Sequence, residues 1–127
     1  MGWPLTPFGL TQLLVRWHSE YGAALPDLYI TENGCAYDEG ISADGKCHDQ
    51  RRIDYLTTHL SAVADAIAQG SPVKGYYQWS LMDNFEWALG YAKRFGIVHV
   101  DFDTQKRTIK DSGFWYRDQI LSNGHNI

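Results

Sequence analysis

Helix-period and strand-period segments alternate along this chain, yet the strands of the sheet they imply number only two. Over residues 6–22, apolar side chains recur at Leu10, Leu13, Leu14, Trp17 and Tyr21, the spacing of one buried helical face. Thr6 stands at the N-cap position, Pro7 at the first helical position and Gly22 just past the end. After Pro26, the run Leu28-Tyr29-Ile30-Thr31 is short, apolar and β-branched, and reads as a buried strand that stops at the turn signal Glu32-Asn33-Gly34. A second helical face follows at Ile53, Leu56, Leu60, Val63, Ala64 and Ile67, ended by Gly70 with Pro72 beyond it. Residues 73–80, rich in Tyr and Trp, read as a second strand. Residues 95–102 read as extended and pair with 107–109 across a turn at 103–106, before a last short helix over about 112–121.

Helices alternating with buried strands predict an α/β fold with a parallel sheet and right-handed crossovers. Two parallel strands alone leave two open edges and poorly covered helix faces, which neither a doubly wound sheet nor a closed barrel tolerates. The chain therefore reads as a piece of a larger architecture. No internal repeat, low-complexity tract or Pro-rich linker divides it, so residues 1–127 form one unit.

Composition narrows the function. At 127 residues the chain is long enough to bury a core without staples. It carries 11 Lys and Arg against 15 Asp and Glu, and the cations are scattered, so no footprint for a phosphate backbone exists and nucleic acid is not expected as a partner. No run approaches the roughly 20 apolar residues that cross a bilayer, and Met1-Gly2-Trp3-Pro4 lacks a basic or apolar leader, so the expectation is a cytoplasmic protein with no membrane partner. Cys35 and Cys47 read as free thiols. With His48 and His59 they offer no close Cys-x-x-Cys or His-x-x-x-His pair, so no metal is expected, and no glycine-rich nucleotide fingerprint points to a cofactor.

In parallel α/β folds the reactive residues gather where strands end at their carboxyl side. Glu32 stands at the first exit. By residue type alone it is open between a catalytic carboxylate and a paired or capping one. The long stretch that follows it, to about Asp49, has no period and is of a length that tends to cover a site. The second exit, Trp79-Ser80-Leu81-Met82-Asp83-Asn84-Phe85-Glu86-Trp87, interleaves flat rings with acids and an amide, the composition of a sugar site. Core packing is the other reading of its rings, and Asp83 and Asn84 read as turn residues that bond the loop backbone. His18, His59 and His99 have no Ser or Cys nucleophile in a recognisable setting, so a hydrolytic triad is not expected.

Two strings carry a resemblance: Ile30-Thr31-Glu32-Asn33-Gly34 at one exit, and W-S-L-M-D-N-F-E-W over 79–87 with Gly90-Tyr91 and Arg94-Phe95-Gly96 at the other. In this order and spacing they resemble the β-glucosidases of glycoside hydrolase family 1. The match runs on through Arg107-Thr108-Ile109-Lys110-Asp111-Ser112 and Phe114-Trp115-Tyr116, over nearly the whole chain.

The resemblance implies an incomplete (β/α)₈ TIM barrel, a C-terminal portion carrying strands seven and eight. It implies that Glu32 is the nucleophile of a retaining mechanism, whose partner carboxylate lies about 5–5.5 Å away and serves as acid and then base. In the family that partner belongs to an N-E-P motif at the end of strand four, and no N-E-P occurs here. Glu86 matches the acid that grips the distal glycone hydroxyls, Trp87 an indole donor, Trp79 the floor under the sugar and Phe95 a wall. Relatives acting on 6-phosphorylated sugars carry a Ser and basic residues in place of Glu86 and Trp87, so the implied substrate is an unphosphorylated β-glucoside or related β-glycoside. A cis Trp79–Ser80 peptide is expected with the family. A barrel needs about 250 residues, so the chain alone is expected to be inactive. Two rival readings stand beside it: a non-catalytic fragment that assembles with a partner segment or with itself through open barrel edges, or a remnant that holds sugar weakly.

Overall fold

The computed structural model describes residues 2–125 and 127. Helix α1 (Pro7–Tyr21) leads into β1 (Leu28–Asn33), α2 (Gln50–Ala68) and β2 (Val73–Gln78). A short hairpin of β3 (Val98–Val100) and β4 (Arg107–Ile109) and the helix α3 (Asp111–Ser122) follow. β1 and β2 lie side by side in parallel, and β3 pairs antiparallel with β4. The expected alternation and the parallel pair are both present.

One face of the β1–β2 pair carries the helices. Leu14 of α1, Val63 and Ala66 of α2 and Val73 of β2 form its buried core, with Leu10, Leu28, Ile30 and Tyr76 packed around them. The hydroxyl of Thr11 donates across to the Ala62 carbonyl at 2.9 Å, fixing α1 against α2. Beside this core, Cys35, Tyr55 and Leu56 pack with Trp115 of α3, and the Tyr116 hydroxyl reaches the Tyr76 carbonyl at 3.1 Å.

The other face is bare. Tyr29 and Tyr77 are 55% and 58% exposed, so β1 is not the buried strand its composition predicts but one covered on a single side. The same cause corrects the helices. On α1, Leu13, Trp17 and Tyr21 are exposed, and only Thr11 and Leu14 are buried. On α2, Ala64 and Ile67 face solvent, while Arg52, Tyr55 and His59 are buried in their place. Apolar stripes laid down for neighbouring units have no neighbour within this chain. No described helix is long and apolar enough to cross a membrane.

Candidate active site

At the exit of β1 the strand changes phase. Leu28 and Ile30 face the helices, and so does Asn33, whose Oδ1 accepts from the Tyr55 hydroxyl at 3.1 Å and the Tyr76 hydroxyl at 2.7 Å. Ile30 and Asn33 are three residues apart, an odd interval that a regular strand sends to opposite faces. The register with β2 slips between these two residues, and the slip absorbs the extra one. Thr31 and Glu32 are therefore both exposed, away from the helices.

The exit of β2 lies alongside. The Trp79 N–H donates to the Asn33 carbonyl at 2.9 Å, and the Trp79–Ser80 peptide is cis, as expected. Trp79 remains 37% exposed. Glu32 and Trp79 thus flank one hydrogen-bonded junction at the carboxyl ends of neighbouring parallel strands.

Beyond Trp79 the chain runs beside residues 95–98. Ser80 donates to the Phe95 carbonyl, Ile97 to Ser80, Val98 to Leu81, and Asp83 to Val98, at 2.9–3.1 Å. A Cβ on Gly96 would stand 2.2 Å from the Asp83 nitrogen, so only glycine lets the two segments meet so closely. Asp83 is buried and accepts from the Gly96 N–H at 3.0 Å and the Val100 N–H at 3.3 Å, the backbone-bonding role its type predicts. It does more: Lys110 Nζ at 3.0 Å and the Arg94 guanidinium at 2.7 Å both pair with it. Burial pushes its pKa up, but Lys110 and Arg94 outweigh that and hold it below the usual carboxylate value. Asn84 donates to the Ser80 hydroxyl at 3.2 Å.

This scaffold carries the rest of the predicted set. The half-buried Glu86 has its N–H on the Gly90 carbonyl at 2.7 Å, closing a 3₁₀ turn at Trp87–Leu89. Trp87, at positive φ, is 82% exposed. Phe95 is buried and lines a cavity of about 490 Å³ with Leu10, Asn33, Cys35 and Tyr55. Glu32, Trp79, Glu86 and Trp87 are not in that wall.

The sequence reading missed the fully buried polar groups. Arg52, Asp49, Lys110 and Ser112 are each 0% exposed. Asp49 pairs with Arg52 Nε at 2.9 Å and accepts from the backbone N–H and hydroxyl of Ser112 at 2.8 and 2.5 Å, joining the start of α2 to the start of α3. The only trace in the sequence is Asp49 three residues before Arg52, which an exposed helix start shows equally well. Cys35 and Cys47 are free and buried, and burial pushes the Cys35 thiol up to about 11. Among the described residues no group of acids, His and Cys is placed to hold a metal.

Residues 1–125 match the family model for Glycosyl hydrolase family 1. Beta-glucosidase A of Thermotoga maritima is 54% identical over 98% of this chain and 27% of its own length. Beta-glucosidase A of Acetivibrio thermocellus is 52% identical over the same shares. The solved Thermotoga maritima β-glucosidase in complex with deoxynojirimycin superposes with a TM-score of 0.93 at 54% identity, over 98% of this chain and 28% of that one. The chain spans about a quarter of the length of these relatives, and its two parallel strands and their helices are an α/β portion of an incomplete barrel. It belongs to glycosyl hydrolase family 1.

Proposed function

We propose that this chain supplies the nucleophile and most of the glycone loop of a retaining β-glucosidase, and that it needs the rest of the barrel to turn over substrate. The observation that carries this reading is the phase change in β1, which exposes Glu32 beside Trp79 at the carboxyl ends of the two strands. In the proposed reaction a Glu32 carboxylate oxygen attacks the anomeric carbon, and the bond to the aglycone oxygen breaks as that oxygen takes a proton from the partner acid. Water, deprotonated by the same partner, then displaces Glu32. Trp79 forms the floor and Glu86 and Trp87 hold the distal hydroxyls, while Phe95, buried against the cavity that Asn33 and Tyr55 line, supports the end of the loop from behind. A carboxylate at Glu86 repels a phosphate, which favours a plain glucoside.

The partner acid is the missing part. General acid–base assistance is worth about 10²–10⁴ in rate, so the isolated chain is proposed to be inactive, and its bare face and open edges to be the surface that meets the missing strands. The test is turnover of an aryl β-glucoside by the purified chain, alone and mixed with a segment carrying the first six strands of a family 1 β-glucosidase. Activity only in the mixture, lost in Glu32→Gln, supports the reading. Turnover by the chain alone, or by the Gln variant in the mixture, contradicts it.

A further inference from the structure

We propose that Arg52 is a positioning residue that holds the segment leaving β1 and the far end of the glycone loop in one fixed arrangement. The proposal rests on the reading of Glu32 and residues 79–87 given above. Arg52 projects from the first turn of α2 and is completely buried. Its Nε pairs with Asp49 at 2.9 Å, one terminal nitrogen donates to the Cys35 and Phe95 carbonyls, and the other donates to the Arg94 carbonyl at 2.9 Å. Cys35 lies three residues beyond Glu32, and Arg94 and Phe95 close the loop that opens at Trp79. One guanidinium thus binds the segment after the nucleophile position to the far end of the segment that carries Trp79, Glu86 and Trp87. Between these two segments the Tyr37 N–H on the Arg94 carbonyl, at 3.2 Å, is the accompanying backbone bond.

The chemistry requires arginine. A guanidinium offers five donors in a rigid plane, whereas an ammonium is a point with three. A lysine can keep the ion pair with Asp49 but has too few donors to hold all three carbonyls as well. Stability is a poor reason for such a group, because a buried ion pair is often matched by an apolar replacement of the same volume. What an apolar side chain cannot do is specify where three carbonyl oxygens lie. Displacement of a catalytic group by about 1 Å can cost about 10²-fold in rate.

Two measurements on the 127-residue chain and one on the complemented assembly test this. In NMR of the unsubstituted chain, Arg52 is expected to give separate, slowly exchanging Nη–H signals, because Nε and both terminal nitrogens are hydrogen-bonded in a buried site. A single averaged signal overturns the proposal, and this reading needs no variant to fold. In Arg52→Lys, amide exchange at Tyr37, Trp79 and Ser80 is expected to quicken tenfold or more together, with the β3–β4 hairpin unchanged. Loosening of one segment alone overturns the coupling. In the assembly, Arg52→Lys is expected to lower kcat per titrated site ten- to hundredfold with KM within threefold. A merely structural role lowers the number of active sites and leaves kcat per site intact, and that result also overturns the proposal. If the unsubstituted assembly is inactive, the proposed function fails, while the NMR and exchange results still decide whether Arg52 couples the segments.

Discussion

The carbonyl oxygen of Trp79 lies 1.9 Å from the point where a Cβ on residue 34 would stand, so the exit of β2 sits directly on Gly34. The contact is with backbone that is itself hydrogen-bonded to Asn33, and no side-chain rotation relieves it. Gly34→Ala is therefore expected to destabilise the chain by about 3 kcal/mol, at the upper end for overpacking. Gly40→Ala, where nothing lies within 4 Å, is expected to be neutral or mildly stabilising. Urea denaturation of the two variants checks the contrast.

Asp83→Asn keeps the shape of the side chain but leaves Lys110 buried without its counter-charge. Removing one partner of a buried pair costs about 3–5 kcal/mol, and a loss of that order is expected in denaturant titration. Asp118→Asn breaks only the exposed pair with Arg117 and is expected to leave the midpoint where it was.

Much of this was legible in the residues, and the exceptions have physical causes. The helices, the parallel strands and the hairpin follow from apolar period and from Pro and Gly punctuation. Which faces are buried did not follow, because Leu13, Trp17 and Ile67 are apolar for neighbours the chain does not contain. Asp83 was legible as a residue that bonds loop backbone, but its pairing with Lys110, 27 positions on, is set by the fold. The exposure of Glu32 depends on a slipped register that a period of two cannot show. Arg52 resembles any arginine in a first helical turn until the carbonyls around it are known.

Stability is expected to fall as the solution is acidified from neutrality. Burial lowers the pKa of His59 and of His99 below the ordinary histidine value. The folded chain keeps both neutral while the unfolded chain binds protons as pH drops through about 6.5. Their contribution is present above that pH and is lost as pH falls through the folded values. Asp83 acts in the same sense at lower pH, its contribution present above about 3.9 and lost as pH falls through its depressed folded value. The exposed His48 acts the other way. Its bonds to Asp111 and Asp44 raise its pKa, so its small contribution is present below about 6.5 and fades as pH rises through the folded value. Tm measured from pH 7.5 to 4.5 is expected to decline, and less steeply in His99→Gln.

On the proposed reading, Trp87 separates binding from folding. Its ring is almost fully exposed and supports no buried cluster, so Trp87→Ala is expected to shift stability by less than about 0.5 kcal/mol. In the complemented assembly the same variant is expected to weaken binding of deoxynojirimycin at least tenfold by calorimetry.

The most direct test of the central claim is mass spectrometry of the complemented assembly after exposure to a slow-turnover glucoside with a good leaving group. A glucosyl adduct on the peptide containing Glu32, absent in Glu32→Gln, is the predicted result. An adduct on another carboxylate, or turnover with Glu32 never modified, would contradict the assignment of Glu32 as the attacking group.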